Sequence, residues 1–169
     1  MIKIGIVGHR FLGTAQTINF VTKECTFILQ QAQREHREVI ALSAIAEGSD
    51  TIFAEAASVL NIPLHIVRPF KRYITDFSTP LTKDRYLNLQ KNAKEEIQLP
   101  YITRSEKAYS EAMQWVLKNS DLLVAVWDGK KTNTKAGIAA AIKQAIQDNS
   151  TLIHLDVASL SKKIYPGIN

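Results

Sequence analysis

Five short apolar segments alternate with amphipathic segments along the chain, and this alternation limits the possible folds more than any other feature. The apolar segments lie at residues 3–7, 39–43, 62–67, 121–127 and 151–155. Short, continuous apolar runs of this kind are typical of strands buried on both faces. Strands that alternate with helices form right-handed crossovers and a parallel sheet covered on both sides. We therefore predict a three-layer α/β fold with strand order 3-2-1-4-5.

The composition fits one domain that spans residues 1–169. Hydrophobic residues make up 46% and charged residues 22%, so a chain of this length can bury a core without disulfides. The single cysteine, Cys25, excludes an internal disulfide framework and favours a reducing cytoplasm. No segment has the length or apolarity of a membrane span or a signal peptide, so we expect a cytoplasmic protein without a membrane partner.

Two further segments complete this plan. Residues 68–102 are predicted to be a helical insertion after the third strand, with a helix that carries Tyr86, Leu89, Ala93 and Ile97 on one side. The tail over residues 156–169 shows no clear pattern. Ser49, Thr79-Pro80 and the capping box that begins at Thr103 are predicted to start helices.

The net charge of +5 comes mainly from residues 68–107 and 128–169. Such an excess fits a nucleic acid partner, a phosphorylated small molecule or simply a soluble basic protein. The first of these segments mixes basic residues with aromatic ones that could form a stacking surface for nucleic acid. These aromatic residues are Phe70, Tyr73, Phe77, Tyr86 and Tyr101.

Three glycine-containing loops point to a ligand site. Ligands of open parallel sheets bind beyond the carboxyl ends of the strands where the strand order reverses, here between the first and fourth strands. The loops at residues 8–13, 46–50 and 127–130 all lie at this edge in the predicted order. Each leads into a helix, whose free N–H groups and partial positive charge favour phosphate.

The candidate residues of this site have functional and structural interpretations. Arg10 could hold a phosphate through its bidentate fork, and Glu47 could act as an acid–base catalyst or bind ribose. Asp128 could orient ribose or base, or simply form a turn. The ligand-binding set that we predict is Gly8, His9, Arg10, Gly48, Ser49, Asp128, Gly129 and Lys130, with Glu47 as the candidate catalytic residue.

The same residues also have structural alternatives. Gly8 could serve only a tight turn, and His9 with Arg10 could form a structural ion pair. Asp50 in a first helical turn would complement the helix dipole. Lys130, Lys131 and Lys135 are expected to face solvent or to steer an anion. The spacing of His, Asp and Glu resembles no metal site, so we predict neither a metal nor a cofactor.

Two phenylalanines on the first helix suggest an assembly. Phe20 and Phe27 are seven residues apart and lie opposite the apolar stripe of that helix. Two exposed aromatic side chains require a second burial partner, and a homodimer is our hypothesis. Cover by the insertion at residues 68–102 is the alternative.

Several segments resemble the SLOG superfamily in their order and spacing. They are Ile6-Val7-Gly8-His9-Arg10, Ser43 to Asp50 with Phe53 to Ala57, and Ser120 to Gly129. The run Val67-Arg68-Pro69-Phe70 with Tyr73, Asp76 and Phe77 is similar to the bacterial GHR branch of that superfamily. The resemblance spans residues 2–155 and implies a Rossmann-like fold that binds nucleotide-derived ligands such as ADP-ribose-like molecules. It implies that Gly8, His9, Arg10, Glu47, Gly48, Asp128 and Gly129 lie on ligand-contacting loops.

The chain departs from one enzymatic branch of this superfamily. The Lonely Guy-type phosphoribohydrolases carry a threonine and a catalytic glutamate where Ile138 and Ala141 stand here. We therefore predict a protein that senses or sequesters a phosphorylated nucleoside derivative, such as an ADP-ribose-like molecule or a nucleoside monophosphate. The alternatives are an N-glycosidic hydrolase or transferase that uses Glu47, and a nucleic-acid-associated protein that uses the basic insertion.

Overall fold

The computed structural model describes residues 1–130, 137–148 and 150–167. Within these ranges the chain forms one seven-stranded sheet with the order β4-β3-β2-β1-β5-β6-β7. The strands are β1 Ile2–Gly8, β2 Val39–Ser43, β3 Leu64–Arg68, β4 Glu95–Gln98, β5 Leu122–Trp127, β6 Thr151–Asp156 and β7 Ser161–Tyr165. The helices are α1 Ala15–Glu35, α2 Ser49–Val59, α3 Pro80–Asn92, α4 Glu106–Asn119 and α5 Ile138–Gln147, with a 3₁₀ helix at Tyr73–Asp76.

The predicted α/β architecture is confirmed. The five predicted strands are β1, β2, β3, β5 and β6, and they run parallel in the predicted order. One core layer joins α1 and α2 to the sheet, and a second layer joins α4 and α5 to its other face. The order reverses between β1 and β5, because α1 and α4 leave from different faces there.

Two edge strands depart from the prediction. The helix expected to reach Ile97 ends at Asn92, Ala93 is extended, and residues 95–98 pair with β3 as β4. In the tail, β7 pairs antiparallel with β6 although no pattern predicted it. Both strands are mostly exposed and polar, so they lack the apolar runs that reveal buried strands.

The helix starts are shifted by one or two residues. Thr79 caps α3 with Pro80 at its first position, as predicted. Ser105 caps α4 in place of Thr103, and its hydroxyl accepts the N–H of Ala108. Gly48 precedes α2, and Ser49 is its first residue instead of its cap. Ser49 is diverted because its hydroxyl donates to the carbonyl oxygen of His9 at 3.1 Å.

The aromatic residues of the insertion form a core instead of a stacking surface. Phe70, Tyr73, Phe77 and Tyr86 are all buried, and their rings meet mainly edge to face at 4.5–5.7 Å between centroids. This packing fastens the insertion to α2 and α3 through the main core. The nucleic-acid stacking surface predicted from these rings is therefore wrong.

The first helix buries its apolar stripe and leaves one phenylalanine outside. Burial raises the pKa of Cys25 to about 12, as suits a core thiol. Phe20 is half-buried against the main core, so the prediction of two exposed phenylalanines is wrong for this residue. Phe27 is 49% exposed. Lys162 of β7 lies 4.7 Å from its ring centroid, so the tail, not the insertion, approaches it. The homodimer stays a prediction.

None of the helices in the described ranges combines the length and apolarity that a membrane span requires.

Candidate functional site

A cavity of about 250 Å³ opens at the carboxyl edge of the sheet, where β1, β2 and β3 end and α4 passes over them. Its wall is apolar on the side of α4 and polar at four side chains: Arg10, Asp50, Tyr73 and Tyr109. The apolar wall includes Val7, Ala44, Ala46, Ala112, Met113, Val116 and Ile138. This is the edge that the strand order predicts for a ligand. A larger groove of about 770 Å³ runs along α1 beside Lys162, away from these loops.

Two loops are packed against each other at the rim of this cavity. The backbone N–H and the hydroxyl of Ser49 both donate to the carbonyl oxygen of His9, each at 3.1 Å. A side chain at Gly8 would approach Val126 Cβ to 2.7 Å, and one at Gly48 would approach the His9 carbonyl oxygen to 2.5 Å. These two glycines and Ser49 therefore hold the loop after β1 against the start of α2. The predicted ligand contacts of all three stay predictions.

His9 joins the first loop to the loop after β5. Its Nε2 accepts the backbone N–H of Asp128 at 3.1 Å and lies 3.2 Å from Asp128 Oδ1. Burial by itself raises the pKa of Asp128, but the N–H of Lys130 and the His9 ring lower it overall. The Asp128 carboxylate is thus charged and shapes its own turn, which Gly129 completes with φ of +79°.

The basic residues of this third loop face outward. Lys130 is 83% exposed and reaches Asp128 Oδ2 at 3.9 Å. Such exposure suits the steering of an anion and adds little to stability. Lys131 and Lys135 lie outside the residues that the structure describes.

Arg10 is the cation that reaches the cavity. Its guanidinium donates from Nη2 to Asp76 Oδ2 at 2.9 Å and lies 5.1 Å from the ring centroid of Tyr109. Burial by itself lowers the pKa of Arg10, but the surrounding Tyr73, Tyr109 and Asp76 hold it above its usual range. The side chain is 38% exposed, so a permanent positive charge meets solvent at the cavity mouth.

A second arginine lies beside the same aromatic ring. Arg104 Nε is 3.9 Å from Asp76 Oδ1, and its guanidinium carbon is 5.8 Å from the Tyr109 centroid. The Tyr109 hydroxyl donates to Asp76 Oδ2. Burial, together with this hydrogen bond, raises the pKa of Tyr109 to about 12. One buried carboxylate therefore joins two arginines and a tyrosine that come from three separate segments.

The carboxyl group in the cavity wall is Asp50, not Glu47. Asp50 is 6% exposed, and burial raises its pKa to about 7 against the opposing hydrogen bonds from Ala46, Ala44 and Ser43. It therefore does more than complement the dipole of α2. A carboxyl that is partly protonated near neutral pH can donate as well as accept a hydrogen bond.

Glu47 instead connects the second loop to the insertion. Its Oε1 accepts the backbone N–H of Ser78 at 2.6 Å and the Ser78 hydroxyl at 3.1 Å. Burial by itself raises the pKa of Glu47, but hydrogen bonds from Thr82 and Ser78 lower it overall. This carboxylate is not among the groups that line the cavity. Its catalytic role stays a prediction.

The site thus combines predicted and unpredicted residues. Sequence reasoning found Gly8 and Arg10 in the cavity wall and missed Tyr109 and Asp76. Asp76 did stand within the segment that resembles the GHR branch, which was the signal that could have found it. Among the residues that the structure describes, no group of three or more His, Cys, Asp or Glu side chains could hold a metal ion.

Neither a protein-family model nor a curated protein matches the chain. Three solved structures are similar to it. DNA processing protein A (DprA) from Streptococcus pneumoniae is 16% identical with a TM-score of 0.67, and the match covers 94% of this chain and 53% of that one. DprA from Helicobacter pylori, described with its single-stranded DNA binding mode, is 15% identical with a TM-score of 0.61, and the match covers 90% and 64%. The protein TM1055 is 10% identical with a TM-score of 0.57, and the match covers 90% and 72%.

These similarities confirm the SLOG-like, Rossmann-like fold. The chain corresponds to 53% and 64% of the length of the two DprA chains. At 10–16% identity the likeness concerns the fold alone.

Proposed function

We propose that the chain binds a phosphorylated nucleoside derivative in the cavity beside Arg10, as a sensor or a sequestering protein of the GHR branch. The observation that carries this proposal is the half-exposed Arg10 guanidinium at the mouth of a mostly apolar cavity that also contains tyrosines. A guanidinium matches the geometry of a phosphate, whereas apolar and aromatic walls suit a base or a ribose. ADP-ribose-like molecules and nucleoside monophosphates both have this division of chemistry.

The size and place of the cavity support a small nucleotide. Its volume of about 250 Å³ lies just below the usual range of ligand pockets, which is roughly 300–1,000 Å³. Ligands of parallel sheets bind at this edge, next to the starts of α2 and α5. N–H groups at those helix starts can add to the positive potential of Arg10.

Substitution of Arg10 by glutamine should lower the affinity for nucleotide about 10- to 100-fold, because a charged hydrogen bond to phosphate is lost. A thermal-shift screen of the parent against AMP, ADP-ribose, NAD and cyclic nucleotides identifies the ligand, and titration calorimetry measures the change. Arg34→Gln is the matched control, since Arg34 lies in the last turn of α1 at the opposite edge of the sheet and bonds only Gln31.

The screen can also refute the proposal. No stabilisation of the parent by any of these nucleotides would count against it. Equal loss of affinity in both arginine variants would mean that only the overall charge matters, and would remove the cavity from the argument.

Single-stranded nucleic acid is the second candidate ligand, and the exposed Phe11 favours it. This ring directly follows Arg10 and is 86% exposed, while Arg104 nearby is 71% exposed. Exposed aromatic rings beside cations are what single strands use for stacking and phosphate contact. The fold neighbour from Helicobacter pylori binds single-stranded DNA, which is consistent with this candidate.

If single strands are the ligand, Phe11→Ala should weaken the binding of an oligothymidylate about tenfold through lost stacking. Fluorescence anisotropy with a labelled oligonucleotide measures the change at physiological salt. Leu81→Ala is the control, because Leu81 is a similarly exposed apolar side chain on α3. Equal affinity of the Phe11 variant and the parent would remove this ring from the interface.

A further inference from the structure

We propose that Asp76 is a positioning residue of this site, whose carboxylate holds Arg10 and Tyr109 in the arrangement that an anionic ligand meets. The inference rests on the proposed function, because it assumes that Arg10 contacts the ligand. It assigns a role to a residue in the insertion, which none of the three predicted loops contains.

The geometry around Asp76 fixes two side chains at once. Its Oδ2 accepts Arg10 Nη2 at 2.9 Å and also the hydroxyl of Tyr109. Arg10 in turn stacks on the Tyr109 ring at 5.1 Å, so the three side chains form a closed set of contacts. The Asp76 side chain is only 5% exposed, so water cannot easily replace these bonds.

The backbone that carries Asp76 is itself held firmly. Asp76 ends the 3₁₀ helix at Tyr73–Asp76. Tyr73 and Phe77, which flank it, are buried in the aromatic cluster at 1% and 3% exposure. The carboxylate is therefore attached to packed core, and it can impose an orientation on a loop arginine.

Electrostatics alone would argue against a carboxylate at this place. A negative charge beside Arg10 lowers the positive potential that attracts an anion. If Asp76 acted only through its charge, its removal would strengthen the binding of a phosphate. If Asp76 acts by orientation, its removal would weaken binding although the site becomes more positive. The two roles therefore predict changes of opposite sign.

The test compares Asp76→Asn and Asp76→Ala with the parent, with AMP and ADP-ribose as the probes. Both variants lose the negative charge, but asparagine keeps an acceptor oxygen at nearly the same place. We expect affinity to fall about tenfold in Asp76→Ala and less in Asp76→Asn. Unchanged or tighter binding in both variants would overturn the inference and leave the proposed function standing. If the alanine variant does not fold, as judged by its melting transition, the asparagine variant alone decides the sign.

A second measurement needs no ligand. Phenylglyoxal modifies accessible guanidinium groups, and peptide mass spectrometry gives the rate at each arginine. Arg10 should react several-fold faster in Asp76→Ala than in the parent. Arg68, which is held by Glu96, should react at the same rate in both and is the internal control.

The two measurements separate the possible failures. A parent that binds neither nucleotide refutes the proposed function, and the Arg10 rate then decides by itself whether Asp76 holds this side chain. An unchanged Arg10 rate means that Asp76 does not position it, whatever the ligand proves to be.

Discussion

Replacement of Asp50 by asparagine should stabilise the protein by an amount that grows from near zero around pH 4 to about 4 kcal/mol above pH 7. Burial raises the pKa of this carboxyl to about 7 in the folded protein. An unfolded chain releases the same proton near pH 4. Between these values only the folded state keeps the proton, so the contribution of Asp50 to the free energy of unfolding falls as pH rises. Asparagine cannot ionise and escapes this loss.

Chemical denaturation of the parent and of Asp50→Asn at several pH values between about 4 and 8 measures this difference. The difference between the two proteins is the useful quantity, because it cancels the carboxylates that both proteins share. Asp84→Asn is the matched control, since Asp84 is exposed on α3 and its replacement should give the same shift at every pH. A constant difference for Asp50→Asn would mean that Asp50 is ionised in the folded protein throughout this range.

The predictable part of the fold was the part whose sequence signal is local. The five central strands are buried on both faces, and burial requires the apolar runs that identify them. The edge strands need only one neighbour, so β4 contains Glu95 and Glu96 and β7 contains Lys162 and Lys163. Charged edge strands are protected from unwanted pairing, and the same charges hide them from a search for apolar runs.

The site divides in the same way. Arg10 was predictable because it directly follows a buried strand at the edge where ligands bind. Asp76 and Tyr109 are 33 residues apart, and their meeting depends on how the insertion folds back over β1 and α4. No periodicity encodes that contact. Glu47 and Asp50 lie in one loop–helix segment, and only the turn at Gly48 decides which of them faces the cavity.

This turn leads to the second large effect: Gly48→Ala should lower the free energy of unfolding by about 3 kcal/mol or more. Gly48 has φ of +89° and ψ of −127°, a conformation that strains residues with a side chain. An added Cβ would lie 2.5 Å from the carbonyl oxygen of His9 and closer still to that of Arg10. Backbone atoms cannot move aside as a flexible side chain can, so the loop after β1 must shift.

Gly13→Ala separates the two causes of that loss. Gly13 also has positive φ, +76°, but no atom lies within 4 Å of its Cβ position. It should therefore lose only the conformational term, about 1 kcal/mol. Urea denaturation of both variants measures the difference, which is the cost of the clash. Equal losses would mean that the two loops are not in contact. A larger loss at Gly48 would show that the loop carrying Arg10 rests on the start of α2, so the anion site depends on this glycine without any contact between the glycine and the ligand.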